Sequence, residues 1–68
     1  MVNIWDYANA RPRIRLEKKD GEVFIGKTYM VWDADESDDT DDSITIEFDS
    51  GELRTFYQDE IESIDVLG

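Results

Sequence analysis

The 68-residue chain reads as mainly β: a small, five-stranded, strongly bent barrel preceded by a short helix. Three observations predict this. Apolar and polar residues alternate with a period of two through residues 13–17 and 43–49. Each run is followed by a Gly-containing turn, Lys19-Asp20-Gly21-Glu22 or Asp49-Ser50-Gly51-Glu52, at hairpin spacing. A longer run, residues 23–32, carries apolar groups on both faces, as expected of a strand that bends from one sheet layer into another.

The elements follow in order within one domain spanning residues 1–68. Residues 1–12 are a short helix and lead-in, with Asn3 as cap and Ile4, Tyr7 and Ala8 on one side. Pro12 ends the helix and biases Arg11 toward an extended backbone. Residues 13–32 supply the first two barrel strands. The first buries Ile14 and Leu16. The second sets Phe24, Thr28, Met30 and Trp32 on one face, and Val23, Ile25, Tyr29 and Val31 on the other. Gly26 permits a bend or a close backbone approach. Residues 33–42 hold seven acids and read as a solvated acidic loop. Residues 43–67 complete the barrel. Ile44, Ile46 and Phe48 point inward, and Thr45, Glu47 and Asp49 outward. A fourth strand spans 53–57 and a tight helical turn 58–60. A fifth strand spans 61–67, with Ile61, Ile64, Val66 and Leu67 in the core.

Composition excludes several classes. A chain this short buries only about 60% of the surface its unfolded form exposes, so association with a partner is favoured. With no cysteine and no histidine there is no disulfide framework, no thiolate or imidazole metal site and no histidine base. The first residues lack a signal pattern and no stretch is long and apolar enough to cross a membrane, which places the expected location in the cytoplasm. A net charge of -11 argues against ordinary nucleic-acid binding.

That charge is segregated. Residues 1–30 hold six bases (Arg11, Arg13, Arg15, Lys18, Lys19 and Lys27) against four acids; residues 31–68 hold fourteen acids against Arg54. Opposite pairing between neighbouring strands explains this division, and a basic face for an acidic ligand is the sharper alternative. Asp33, Asp35, Glu36, Asp38, Asp39, Asp41 and Asp42 are candidate partner-binding residues, together with Trp5 and Tyr57, the aromatics least needed in the core. The other aromatics, Tyr7, Tyr29, Trp32, Phe48 and Phe56 among them, are expected to pack inside. Arg11, Arg13 and Arg15 are candidate phosphate contacts, weighed against simple pairing with Glu17 and its neighbours.

The acidic loop fails as an EF-hand. Asp38 stands where the loop needs glycine, and Ile44 where it needs a bidentate acid. Nor do the remaining carboxylates suggest a catalytic pair, since they fall mostly at outward strand positions and turns. The reading is of a non-enzyme with no cofactor and no metal.

Ile14-Arg15-Leu16, Asp20-Gly21, Val23-Phe24-Ile25-Gly26 and Trp32-Asp33 are together similar to the first motif of the Sm-like (LSm) domain family. The resemblance covers residues 3–67 and implies an SH3-like/Sm-like barrel. Two departures accompany it. Sm proteins that bind RNA place an asparagine just past the closing aspartate, where this chain has Asp35-Glu36-Ser37-Asp38. They also carry an Arg-Gly pair before the last strand, where this chain has Phe56-Tyr57-Gln58-Asp59-Glu60-Ile61. The resemblance thus implies a retained scaffold and a lost base pocket. It also implies a homo-oligomer, assembled between strand 53–57 of one copy and strand 61–67 of the next.

The expectation is therefore a self-associating binding or scaffold module. The alternative is an acidic nucleic-acid mimic that docks loop 33–42 on a basic protein. Residual RNA binding through the three arginines, and an SH3-like peptide binder, are further readings; no aromatic groove is evident in the sequence to promote the last.

Overall fold

The computed structural model describes residues 2–34 and 41–67. Five strands form one antiparallel sheet: β1 (Arg13–Lys18), β2 (Val23–Trp32), β3 (Ser43–Glu47), β4 (Leu53–Tyr57) and β5 (Ile61–Val66). Their order across the sheet is β4-β3-β2-β1-β5, so β4 and β5 are its two edges and the barrel stays open between them. One 3-10 turn (Ile4–Tyr7) precedes the sheet and another (Gln58–Glu60) joins β4 to β5.

Local chemistry accounts for the corners. The Asn3 side chain accepts from the Trp5 N–H and caps the first turn, as its position predicts. Both hairpins close alike. Gly21 and Gly51 take φ of +95° and +90°, and their N–H groups donate to Lys18 O and Phe48 O, each at 2.9 Å. At both turns a side chain would be strained by the positive φ.

Ile4, Ile14, Leu16, Val31, Ile44, Ile46, Phe56, Ile61 and Ile64 form the core, with Tyr7, Ala8, Phe24 and Phe48 packed against it. Ile4 is fully buried, so the N-terminal turn does cover the core. Gly26 is needed for close approach. A Cβ there would lie 2.5 Å from Ile46 Cγ2 and 2.7 Å from the Glu47 carbonyl oxygen. Arg54 lays its guanidinium 4.7 Å from the Phe24 ring centroid and 5.5 Å from that of Phe56, covering the aromatic edge of the core.

Four expectations need correction. The β2–β3 register slips between Thr28 and Met30, so the alternation of β2 inverts there. Thr28 and Val31 face inward, whereas Tyr29, Met30 and Trp32 are exposed. Val66 and Leu67 are also exposed, at 55% and 45%, because they run past the core on an edge strand. Thr45, expected outward, is covered, lying under side chains of its own face. Arg11 is left-handed, at φ 49°, instead of extended. Its N–H donates to the Tyr7 carbonyl at 3.1 Å, ending the turn in the manner usually reserved for glycine. This reversal aims the Pro12 carbonyl at Thr28, which donates to it through both N and Oγ1.

Candidate functional site

The acidic segment is anchored at its base. Asp42 Oδ2 accepts from Trp5 Nε1 at 2.8 Å, and its Oδ1 accepts from the Ala34 N–H at 2.9 Å. Both bonds favour the ionised carboxylate, the Trp5 bond most, and hold Asp42 below the usual aspartate range. Asp41 Oδ2 accepts from the Asp59 N–H at 3.0 Å. Gln58 completes the tie: its Oε1 accepts from the Ile4 N–H, its Nε2 donates to the Val2 carbonyl, and its own N–H donates to Asp42 O. So Trp5, Asp41 and Asp42 come together, but as internal fasteners. Asp33 is half-buried at the other end of the segment. Asp35, Glu36, Asp38 and Asp39 lie outside the described residues. Among the described residues no three acids are grouped to hold a metal ion.

Two of the three candidate phosphate contacts are engaged in ion pairs. Arg13 forms a two-pronged pair with Asp49, at 2.9 and 3.2 Å. That pair raises the Arg13 pKa and lowers that of Asp49. Arg15 lies 3.7 Å from Glu17 and 3.8 Å from Asp65. Basic β1 thus neutralises acids of its neighbours, as the segregated charge suggests. Arg11 instead donates to the Tyr29 carbonyl at 3.3 Å and shares a polar hollow with Lys27 and Glu47.

The face opposite the core is of two kinds. Over β1 and β5 it carries Arg13, Arg15, Glu17 and Asp65; over the end of β2, β3 and β4 it is apolar and aromatic. There Tyr29, Trp32, Leu53 and Tyr57 surround a shallow groove of about 440 Å³, floored by Ser43, Thr45 and Thr55. The register explains the grouping. Trp32, Ser43 and Tyr57 form one row across three strands, and Met30, Thr45 and Thr55 the next. Trp32 Nε1 donates to Thr45 Oγ1 at 2.9 Å, and Thr45 and Thr55 share a hydroxyl bond of 2.8 Å. The floor is therefore polar but satisfied, and the indole is tethered to it through Thr45. Tyr57, singled out from the sequence, belongs here; Tyr29, Trp32 and Leu53 were missed. The strong β pattern of 28–32 reads as core unless the bulge is known, so only the surplus of aromatics over available core volume pointed outward.

No family model, curated protein or solved structure matches the chain.

Proposed function

We propose that the chain is a non-enzymatic, Sm-like binding and scaffold module. It self-associates head to tail through the free edges of β4 and β5, and has no base recognition of the Sm type. The observation that carries this reading is the sheet order β4-β3-β2-β1-β5, which leaves each edge strand paired on one side only. Unpaired strand edges are templates for another strand. Each edge carries an exposed apolar residue, Leu53 on β4 and Val66 on β5. Pairing β4 of one copy with β5 of the next is a head-to-tail arrangement, which closes into a ring when the rotation permits.

A domain this small gains stability from added interface. The charge of -11 per copy opposes assembly. Screening over about 8 Å at physiological ionic strength confines that repulsion to near neighbours. Loss of RNA binding is supported by the engagement of Arg13 and Arg15 with acids, beside the two missing signature positions. The acidic-mimic reading is weakened because Asp41 and Asp42 are spent on internal hydrogen bonds.

Size exclusion with light scattering, at low and moderate salt, tests the proposal. An oligomer of about five or more subunits, dissociated by Leu53→Lys or Val66→Lys, is the expected result. A monomer at both salts overturns it.

A further inference from the structure

We propose that the groove on the outer face of β2, β3 and β4 docks an extended, basic peptide segment of a partner protein. Arginine or lysine side chains lie over the rings of Tyr29, Trp32 and Tyr57, and apolar side chains lie against Leu53. This site is on the face of the sheet and does not rest on assembly through its edges.

Three observations carry the inference. First, Tyr29, Met30, Trp32, Leu53 and Tyr57 are all exposed on one side of three adjacent strands, a concentration of apolar surface that isolated domains rarely leave to water. Second, the central ring of the platform is tethered before anything binds. The only polar atom of the Trp32 side chain is bonded to Thr45, so the ring stays in place and loses little freedom on docking. No buried side-chain polar atom among the described residues lacks a partner, so the floor makes no demand of its own for a polar ligand.

Third, the charge beyond the Trp32–Tyr57 end of the groove selects the occupant, the lining itself being uncharged and Arg11 and Lys27 standing on the far side of Tyr29. Every strand of the aromatic row runs into acids at the same end. Trp32 is followed by Asp33, Ser43 is preceded by Asp41 and Asp42, and Tyr57 is followed by Asp59 and Glu60. Aromatic faces and carboxylates both favour a cation, and a partner of that charge is drawn by the field of residues 31–68. An anionic partner would meet fourteen acids against one base in that stretch. The groove is shallow and runs along a sheet, which suits an extended chain with alternating side chains better than a compact ligand.

The test is a titration of the isotope-labelled chain by NMR. One synthetic peptide alternates arginine with leucine, and a control carries glutamate in place of arginine. The arginine peptide is expected to shift the Trp32 indole N–H and the amides of Thr45, Thr55 and Tyr57. Its affinity should fall about tenfold on going from low to moderate salt. Tyr57→Ala, at an exposed edge position, should weaken binding about tenfold while leaving the remaining spectrum in place. Trp32→Phe keeps a ring but loses the bond to Thr45, and should weaken binding by a smaller factor. The absence of shifts, shifts centred on the N-terminal turn, or an equal response to the glutamate peptide would each overturn the proposal. So would groove signals that change with dilution of the protein alone, since a second copy would then be the occupant. Light scattering in the same buffer separates the two readings. A monomer that binds the arginine peptide keeps this site and sinks self-assembly; an oligomer that ignores the peptide does the reverse.

Discussion

The Trp5 indole donates to Asp42 across thirty-seven positions of sequence, and that one bond ties the N-terminal turn to the residue just before β3. The same carboxylate holds Ala34, so the two ends of the acidic segment are clasped at its base. The folded-state pKa of Asp42 lies below its ordinary value, chiefly through Trp5 and then Ala34. The stabilisation is therefore fully present above the unfolded value, about 3.9, and is lost as pH falls through the lower folded value. Melting curves of the wild type and Asp42→Asn between neutral pH and about pH 2 should show a gap that is constant above about pH 5 and closes in acid. Reading the difference cancels the relief of overall repulsion, which both proteins share. A gap that ignores pH would refute the assignment.

Gly26→Ala should be among the most damaging small substitutions. Its Cβ would meet the β3 backbone at 2.7 Å, and backbone cannot swing aside as a side-chain tip can. Overpacking of this kind costs about 1–3 kcal/mol, measurable by urea unfolding. An unchanged midpoint would mean that β2 and β3 are not held this close.

At Arg11 the expected order of stability is unusual, because glycine should beat a larger residue. The position sits at φ 49°, where a side chain with branching at Cβ suffers most. Arg11→Gly should be more stable than Arg11→Val by about 1–2 kcal/mol. Equal unfolding midpoints for the two variants would argue for an extended backbone at this point.

Gln58→Ala removes both partners that its side chain gives the N-terminal turn, at Ile4 N and Val2 O. Leaving those groups unpaired beside a buried Ile4 should cost about 1–3 kcal/mol. Hydrogen exchange should locate the effect, with the Ile4 amide losing protection before those of β1. Uniform loss across the sheet would instead mean that turn and barrel open together.

Much of this fold was legible because its rules are local. The alternation through Ile44, Thr45 and Ile46, the glycines at 21 and 51, and the Asn3 cap each act within a few residues. The faces of β2 were not, because an inserted residue at a bulge leaves no mark in a run as uniformly β-prone as Thr28–Trp32. Trp32 and Tyr57 came to the surface together through pairings with β3, on both sides of Ser43. The roles of Asp41 and Asp42 were hidden for a related reason: their partners, Trp5 and Asp59, are distant in sequence. Arg11 shows a local rule overruled, since the geometry that closes the turn onto Thr28 outweighs the preference imposed by Pro12.

The pairing of β1 with β5 also governs when this fold can form. Tyr7 and Ile64 meet across fifty-seven positions, and Leu16, paired with Phe24 in the first hairpin, finds its second strand partner, Ile64, only in β5. Closing so long a loop before any reward is received makes folding slow relative to a local hairpin. During synthesis, a chain stalled before Ile61 lacks two core residues and the strand that covers β1. Until then the chain is a run of hairpins whose first half carries a small positive charge and whose second half is strongly acidic, and the core closes only with the arrival of Ile61 and Ile64.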